Sequence, residues 1–339
     1  MRTIIAYPAF KSEKTNPYQA LLYREMQKLG WEVLDFDAAL RSGLRADVIH
    51  LHWPDGFAFH RSFTKSLIRV GLLLCVLKWY RFRGAKIVWT IHNLRSHERF
   101  HPKLEEWFWP QFYRVLDGWI ALNHFTEEQV KDIVPMRSLP RAIIPHGLYP
   151  AHTNVSTSEP PNRGKSQLLF FGKLRRYKEI PLLLKVFGEL EDDSVELVIA
   201  GQCHEPQLSN YIREKKPERV NVLERFIPDD ELGQLICSAD AVIVPYYKSL
   251  NSGVIFLALA YGKTVIAPAT PVCREICDDF GVSQVRLYEP PLSADKLQAC
   301  LELPFRSQEI ADDLLKRYGW PSIAEAHDKF INELKSTKR

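Results

Sequence analysis

The sequence predicts an α/β protein built from two doubly wound, parallel-sheet domains that face a cleft. Short β-rich runs alternate with helical runs along both halves of the 339 residues, and a polar segment at 151–166 interrupts the alternation. The hydrophobic fraction of 46% is enough for two cores of ordinary size. Such alternation is typical of parallel sheets whose strands are joined by helices.

The first domain is predicted over residues 1–150. It begins with strands at Thr3–Tyr7 and Glu32–Phe36, separated by a helix at Pro17–Leu29 that ends at Gly30, a suitable C-terminal cap. The later strands and one helix are predicted at Asp47–Trp53, Ile87–Ile91, Leu104–Leu116 (helix), Trp119–Leu122 and Ala142–Ile144.

The linker at 151–166 is polar, contains two adjacent prolines and has no apolar period. After it the alternation restarts, which places the second domain at 167–317. Ligands in such sheets bind beyond the carboxyl ends of the strands. The strands and helices predicted there are Leu168–Phe171, Ile180–Leu190 (helix), Glu196–Ala200, Val220–Leu223, Asp229–Ser238 (helix), Ala241–Val244 and Thr264–Ala267.

Composition argues against several classes of protein. The formal net charge is only +4 and no repeated basic–aromatic platform occurs, so we expect no nucleic-acid partner. The six cysteines form no C-x-x-C pair, which predicts a protein of the reducing cytoplasm. The longest apolar run, Val70–Leu77, is well short of the roughly 20 residues that span a bilayer.

The second half resembles the family-four glycosyltransferases, which have the GT-B fold. The resemblance covers most of residues 45–330 and is looser in the first half, where DVIHLHWP, VWTIHN and IIPHG are similar to family segments. The segments that carry it in the second half are LFFGKLRRYK (Leu169–Lys178), ELVIAG (Glu196–Gly201), SADAVIVP (Ser238–Pro245), ALAYGKTVIAP (Ala258–Pro268) and Glu275.

This resemblance implies a hexosyltransferase that moves a sugar from a UDP- or GDP-sugar to a saccharide or polyprenyl-linked saccharide, without a cofactor. The first domain would bind the acceptor and the second the donor. Tyr318–Ala324 (YGWPSIA) is similar to the start of a helix, at 318–335, that packs back on the first domain. The implied donor-binding residues are Gly172, Lys173, Lys178, Asn251, Ser252, Gly253, Glu275 and His146.

One departure concerns the Glu-x7-Glu pair of retaining members, which holds the donor sugar and ribose. Ser249 and Leu257 occupy those positions, so both carboxylates are absent. The pattern is closer to bacterial exopolysaccharide and lipid-linked oligosaccharide transferases, and it favours inversion over retention. Two alternatives stay open: a nucleotide-sugar 2-epimerase, which shares the two-domain fold, and a non-catalytic module that binds sugar nucleotides.

Sugar transfer requires stabilisation of a departing nucleoside diphosphate. Lys173 and Lys178 follow a strand and supply cations, and the backbone N–H groups near Ser252 and Gly253 open a helix that favours an anion. The one Asp-x-Asp string, Asp35–Asp37, lies away from the donor half, so we expect no metal. No G-x-G-x-x-G follows the first strand, which argues against a nicotinamide or flavin oxidoreductase.

An inverting enzyme also needs a general base, and strand ends of the first domain offer candidates. His50 and His52 are two apart in a strand, so both point to one face, and we expect His50 to be a hydrogen-bonded core residue. His92, Asp55 and Glu98 are the catalytic candidates, because a histidine or carboxylate near a strand end can take a proton from an acceptor hydroxyl.

The region 61–86 contains no acidic residue and surrounds the apolar run VGLLLCVL with lysines, arginines and aromatic residues. This pattern suits the headgroup layer of an anionic membrane and predicts peripheral binding to the inner face of the plasma membrane. The alternative is a helix buried in the first domain with solvated ends, because the apolar residues extend nearly all round the helix.

Overall fold

A computed structural model describes residues 2–14, 16–37, 43–95, 100–131, 133, 135–151, 165–248, 250–305 and 309–336. The chain divides into two compact units, one formed by Met1–Gly147 with Lys316–Arg339 and the other by Leu148–Leu315. Most of the predicted linker, residues 152–164, lies outside the described residues.

The first unit contains a six-stranded sheet in the order β2-β1-β3-β4-β5-β6, and all neighbouring strands are parallel. The order reverses between β1 and β3, which is the point where ligands bind in open α/β sheets. The strands are β1 Arg2–Tyr7, β2 Trp31–Asp35, β3 Val48–Leu51, β4 Lys86–Ile91, β5 Gly118–Ala121 and β6 Arg141–Ile143. The helices are α1 Tyr18–Lys28, α2 Pro54–Ala58, α3 Phe63–Phe82, α4 Pro102–Tyr113 and α5 His124–Lys131.

The second unit repeats this architecture. Its six parallel strands are arranged β12-β11-β10-β7-β8-β9, so the reversal lies between β7 and β10. The strands are β7 Ser166–Phe171, β8 Val195–Ala200, β9 Val220–Leu223, β10 Ala241–Ile243, β11 Thr264–Pro268 and β12 Val285–Tyr288. The helices are α6 Ile180–Glu189, α7 Pro206–Lys215, α8 Asp229–Ser238, α9 Gly253–Ala260, α10 Pro271–Phe280, α11 Ala294–Leu301 and α12 Asp312–Arg317.

The last helix, α13 (Trp320–Ser336), belongs to the first unit. Its Asp328 carboxylate accepts hydrogen bonds from the Arg2 guanidinium at 2.8 Å and the Trp31 indole at 2.7 Å. Leu334 packs over Gly118 so closely that a β-carbon there would lie 2.9 Å from the leucine. The helix is thus held against the sheet by both polar and apolar contacts.

The two doubly wound sheets confirm the predicted fold class, but the strand β12 was missed. Its short sequence, VRLY, places a charged Arg286 in the sheet, which weakens the strand pattern. Arg286 is buried, and its guanidinium donates to the carbonyl oxygens of Cys300, Leu303 and Pro304 at 2.6–2.8 Å. These carbonyls lie at and beyond the end of α11, so the arginine satisfies helix-terminal groups that would otherwise lack donors.

Candidate active site

The donor-side candidates in the second unit gather where β7 and β10 adjoin. Gly172 follows β7 directly, with φ of +104°, and its N–H donates to the Ala200 carbonyl oxygen. The Lys173 side chain is exposed, whereas Lys178, at the end of a 3-10 turn, is only 8% exposed. The chain turns after Gly172 in such a way that the Lys178 ammonium lies beside this glycine. A β-carbon on Gly172 would lie 3.1 Å from Lys178 Nζ.

Lys178 carries a buried ammonium. Its Nζ lies 5.5 Å from the centre of the Tyr246 ring and 5.8 Å from that of Phe170. Burial, reinforced by the nearby charges of Lys173 and Arg175, lowers the lysine pKa to about 8. Within the described part of the chain, no carboxylate lies within ion-pair distance of this ammonium. A buried cation surrounded by aromatic rings and other cations is a favourable position for an anion.

Tyr246 connects the start of α9 to this lysine, because it contacts both. The Tyr246 hydroxyl is 2.7 Å from Ser252 Oγ, and Ser252 is the residue that precedes the helix. Gly253 opens the helix, and a β-carbon on it would lie 2.9 Å from the Tyr149 hydroxyl. The first-turn N–H groups of a helix have no acceptors within the helix and favour an anion.

Two further donor-side candidates lie at the same edge of this sheet. Asn251 immediately precedes Ser252, and its side chain is partly exposed. Glu275 lies in α10, which follows β11, the strand next to β10, and its side chain is also partly exposed. The structure therefore links Lys178 to Gly172 by direct proximity and to Ser252 through Tyr246. The other three candidates lie on loops or helices that follow neighbouring strands of the same sheet; they are Lys173, Asn251 and Glu275.

The first unit contains a chain of hydrogen-bonded histidines at the carboxyl ends of β3 and β4. The Tyr23 hydroxyl lies 2.9 Å from His50 Nδ1 and 2.8 Å from His52 Nε2. His50 Nε2 lies 2.8 Å from Thr90 Oγ1, and His52 Nδ1 lies 3.0 Å from His92 Nε2. All five side chains are buried, so the expectation of a hydrogen-bonded core residue is confirmed for His50.

These histidines are neutral near pH 7. Burial lowers the pKa of His50, His52 and His92 well below 6.5, and the neighbouring histidines lower it further. A neutral imidazole has one N–H donor and one acceptor nitrogen. The hydrogen bonds therefore determine which nitrogen of each ring carries the proton.

His92 also lies within a cluster of aromatic rings. The Trp53 ring is 4.3 Å from it at an angle of 30°, and the Tyr18 ring is 4.9 Å from it. Tyr18 contacts His146 at 4.9 Å and Trp320 at 5.1 Å, so α13 supplies part of the cluster. His146 donates from Nδ1 to the Gly147 carbonyl oxygen, and burial lowers its pKa to about 4.

The two carboxylate candidates differ in what the structure describes. Asp55 lies in the first turn of α2, two residues after Trp53, and is partly exposed. Glu98 lies outside the described residues.

The Asp-x-Asp string has local partners: Asp35 accepts from the Ala9 N–H and Asp37 pairs with Lys11 at 2.8 Å. The described residues contain no group of three or more histidine, cysteine or acidic side chains arranged for a metal.

Sequence reasoning missed the tyrosines that organise both sites. Tyr23 lies on α1 and Tyr246 follows β10, and nothing in their local sequence distinguishes them from ordinary core tyrosines. Only their tertiary neighbours reveal them. The alternation of His50 and His52 did predict that both rings share one face, and their common partner Tyr23 confirms it.

Comparisons with known proteins match the second unit to a family of glycosyltransferases. Residues 165–303 match the family described as Glycosyl transferases group 1. The GDP-mannose:glycolipid 4-beta-D-mannosyltransferase of Xanthomonas campestris pv. campestris is 29% identical over 330 residues, which cover 94% of this chain and 89% of that enzyme. The match therefore extends through both units.

Solved structures share the fold. The sucrose-phosphate synthase from Thermosynechococcus elongatus superposes with a TM-score of 0.65 at 15% identity, covering 98% of this chain and 95% of that one. Anabaena HepE, solved in complex with UDP-glucose, gives a TM-score of 0.60 at 16% identity, covering 99% and 97%. At this level of identity the similarity shows the GT-B fold alone.

Proposed function

We propose that this chain, a glycosyltransferase of the GT-B fold, transfers mannose from GDP-mannose to a sugar of a glycolipid. The observation that carries the proposal is the 29% identity to the Xanthomonas mannosyltransferase over 94% of the chain. HepE binds UDP-glucose, so the fold accommodates other donors, but its identity to this chain is only 16%. The full-length relationship therefore favours the guanine nucleotide and mannose.

The second unit supplies the groups that such a donor requires. A nucleoside diphosphate gains negative charge as the glycosidic bond breaks, and fixed positive groups stabilise that charge. Lys178 offers a buried ammonium, and the first turn of α9 offers N–H groups beside it. Lys173 adds an exposed cation on the same loop. We assign the diphosphate to these groups, with no metal required.

The reaction proceeds with inversion in this proposal. GDP-mannose carries its sugar in α linkage, so a β-mannoside forms by one displacement at the anomeric carbon. The acceptor oxygen bonds to that carbon while the carbon–oxygen bond to phosphate breaks, and the electron pair leaves with GDP. A base receives the acceptor proton, for which Asp55, Glu98 and His92 are the candidates. The absence of the Glu-x7-Glu carboxylates supports this course.

The test is a donor panel with the purified protein. GDP-mannose, UDP-glucose and UDP-glucuronate are each supplied with and without a polyprenyl-diphosphate-linked saccharide, and nucleotide release and product mass are measured. The proposal expects GDP release that depends on the acceptor and adds one hexose to it. Acceptor-dependent release from UDP-sugars alone would overturn the donor assignment. A modified sugar that stays on its nucleotide would instead identify an epimerase.

We also propose that α3 binds the membrane in which a glycolipid acceptor resides. One side of this helix is buried in the first unit, through residues such as Val70, Leu73 and Leu77. The other side exposes large apolar residues to solvent, to 89% for Phe82 and 64% for Ile68. The exposed apolar residues of α3 are Phe63, Leu67, Ile68, Leu72, Trp79 and Phe82. Six large exposed apolar residues on one helix are unusual on a soluble surface and are typical of an interaction site.

Charge identifies the kind of surface that this side of α3 fits. Exposed cations lie among the apolar residues, and no acidic residue occurs in the helix or within several residues of either end. The exposed cations are Arg61, Lys65, Arg69, Lys78 and Arg83. Apolar residues with flanking cations suit insertion into the headgroup layer of anionic lipid. No helix in the described ranges is both long and apolar enough to cross a bilayer.

A further inference from the structure

We propose that Lys65 and Arg69, on α3, bind the diphosphate of a polyprenyl-diphosphate-linked acceptor, and that the Tyr7 hydroxyl contacts the saccharide that this diphosphate carries. The inference deepens the proposed function and rests on it for the identity of the acceptor. The placement of the three side chains does not depend on that identity. All three residues belong to the first unit, so the site lies within one compact part of the chain.

Tyr7 is the last residue of β1, beside the point where the sheet order reverses between β1 and β3. Ligands of open α/β sheets bind beyond the carboxyl ends of the strands at such a point. The Phe57 and Phe36 rings meet the Tyr7 ring edge-on, with centroids 5.4 Å and 6.0 Å from it. Tyr7 is partly exposed, and its hydroxyl has no hydrogen-bond partner among the described residues. The ring is therefore held in place while the hydroxyl is available to a ligand.

The helix α3 packs beside Tyr7 through its buried side. Val70 belongs to the hydrophobic core of this unit, and Tyr7 packs against the same core. Arg69, which precedes Val70, lies close enough to Tyr7 to act on its hydroxyl. Burial raises the Tyr7 pKa to about 12 and the Asp37 carboxylate raises it further, whereas the positive charge of Arg69 opposes the rise. Asp55 also raises it, so this hydroxyl lies near both a cation of α3 and a candidate general base.

Lys65 and Arg69 form a pair of cations without a counterion. They are four residues apart in α3, so their side chains lie on the same face of the helix. Both are exposed, and neither has an ion-pair or hydrogen-bond partner in the part of the chain that the structure describes. Like charges at this spacing repel each other, and an anion bound between them removes that repulsion.

Positive charge is concentrated around this pair. Desolvation lowers the pKa of the neighbouring His60, and the charges of Lys65, Arg69 and Arg61 lower it further. The His60 ring accepts a hydrogen bond from the Ser62 N–H at Nδ1, 3.0 Å away. The start of α3 therefore presents several cations to any anion that approaches it.

The position of α3 identifies the anion as a lipid diphosphate. Arginine and lysine bind phosphate oxygens through charge-assisted hydrogen bonds, and a diphosphate offers several such oxygens to two cations. A polyprenyl diphosphate carries its charged group in the headgroup layer, where the proposed membrane-binding side of α3 lies. Arg69 is the cation of this helix that acts on Tyr7. The saccharide attached to that diphosphate is thereby directed to the carboxyl edge of the sheet.

The direct test is calorimetric titration with farnesyl diphosphate, a water-soluble prenyl diphosphate, with excess GDP present to occupy the proposed donor site. Lys65→Gln with Arg69→Gln should weaken binding at least about tenfold, the loss of one hydrogen bond to a charged group. Arg69→Lys, which keeps the charge, should retain most of the affinity. The matched control is Arg45→Gln with Lys329→Gln, which removes two exposed cations of the same unit. A parent that does not bind, or equal affinities of the parent and the Lys65 and Arg69 variant, would overturn the inference.

Transfer provides a second test, with one saccharide presented on two carriers. The acceptor is linked either to polyprenyl diphosphate or to an uncharged alkyl chain, and both are supplied in micelles of an uncharged detergent. The Lys65 and Arg69 double variant should raise KM at least about tenfold for the diphosphate-linked acceptor alone. Tyr7→Phe should raise KM about 2- to 10-fold for both acceptors, since it removes a neutral hydrogen bond to the saccharide. Equal effects of the double variant on the two acceptors would contradict the inference.

The two tests separate this inference from the proposed function. Binding of farnesyl diphosphate needs no donor, so it decides the inference even if GDP-mannose supports no transfer. If transfer occurs and the double variant keeps the parent KM for the diphosphate-linked acceptor, the inference fails alone. A double variant that loses binding to phosphatidylglycerol vesicles but keeps its affinity for farnesyl diphosphate would assign the two cations to bulk lipid and overturn the inference. Unfolding midpoints of all variants, measured by tryptophan fluorescence, identify any loss of binding that comes from loss of structure.

Discussion

Gly201 approaches Gly172 so closely that a β-carbon on Gly201 would lie 1.9 Å from the Gly172 carbonyl oxygen. The two glycines follow β8 and β7, so the contact joins the carboxyl ends of neighbouring strands beside Lys178. Gly201 also has φ of +153°, which side chains rarely adopt. The absence of a β-carbon therefore sets the path of the loop that carries the candidate diphosphate site.

Gly201→Ala should destabilise the protein by about 3 kcal/mol or more, because strain and overpacking each contribute about 1–3 kcal/mol. Urea unfolding measures this loss. Gly71→Ala is the matched control: Gly71 lies in α3, and apart from the adjoining backbone of its own helix no atom lies within 4 Å of its β-carbon position. That variant should gain about 0.5–1 kcal/mol. Similar stability of the two variants would show that the loop tolerates separation of the strand ends.

Lys178→Met should weaken GDP binding about 10- to 150-fold at pH 7, since a hydrogen bond to a charged group contributes roughly 1.5–3 kcal/mol. Lys173→Ala should produce a loss in the same direction. Lys185→Ala, which removes an exposed lysine paired with Glu189 on α6, should bind GDP as the parent does. Calorimetric titration with GDP measures all three affinities.

The pKa of Lys178 adds a pH signature to that prediction. The ammonium has a pKa of about 8, so it is charged at pH 7 and increasingly neutral above pH 8. Parent affinity for GDP should therefore fall between pH 7 and pH 9. The affinity of Lys178→Met should change less over the same range, because the titrating group is gone. Parallel pH profiles for parent and variant would exclude Lys178 as the responsible cation.

Acid should destabilise the first unit through its buried histidines. The unfolded chain binds protons as the pH falls through about 6.5, whereas burial lowers the native pKa of His146 and His327 to about 4. The contribution of these neutral rings to the free energy of unfolding is therefore fully present above pH 6.5 and is lost as the pH falls toward 4. Each of these two histidines contributes about 3 kcal/mol of that loss.

Tryptophan fluorescence reports this transition selectively, since all eight tryptophans lie in residues 1–147 or 316–339. His327→Leu should reduce the pH dependence of the unfolding free energy by about one proton. His124→Ala, which removes an imidazole that is 70% exposed, is the matched control. An unfolding free energy that stays constant from pH 7 to pH 5 would contradict the buried, neutral state of these rings.

Replacing apolar residues of α3 should release the protein from membranes. The variant Ile68→Glu with Phe82→Glu removes two exposed apolar side chains and adds two negative charges. Co-sedimentation with phosphatidylglycerol vesicles should fall at least about tenfold, since burial of each large apolar side chain contributes about 1.5–3 kcal/mol. The parent should also dissociate as salt rises.

The matched control for that experiment lies on the second unit. Phe226 and Val282 are 59% and 73% exposed and lie far from α3 in the sequence. Their double glutamate variant adds the same charge and should sediment as the parent does. Equal release by both double variants would indicate a general charge effect and would argue against α3 as the membrane-binding surface.

Local sequence patterns were sufficient for the fold class and for most strands. Val220–Leu223 and Asp229–Ser238 were predicted with their observed bounds, because turn residues and apolar periods mark both ends. By contrast β12 was missed because Arg286 interrupts its apolar pattern and is satisfied only by carbonyls distant in sequence. Local patterns cannot show such long-range pairing.

The site was predicted less completely than the fold. Lys178 is marked by its place after a glycine that follows a strand, but its burial and altered pKa depend on Tyr246 and Phe170, which come from other elements. The histidine chain shows the same limit. His50 and His52 are visible as an alternating pair, whereas Tyr23, which joins them, lies on a helix about 27 residues earlier.

The proposed function is tested by transfer of radiolabelled mannose from GDP-mannose to a polyprenyl-diphosphate-linked saccharide, with the anomeric configuration of the product determined by NMR. The proposed function predicts a single β-linked mannose on the acceptor, equimolar GDP, activity that survives EDTA, and loss of transfer in Lys178→Met. It would be contradicted by an α-linked product, by transfer that EDTA abolishes and magnesium restores, or by transfer from UDP-sugars in place of GDP-mannose.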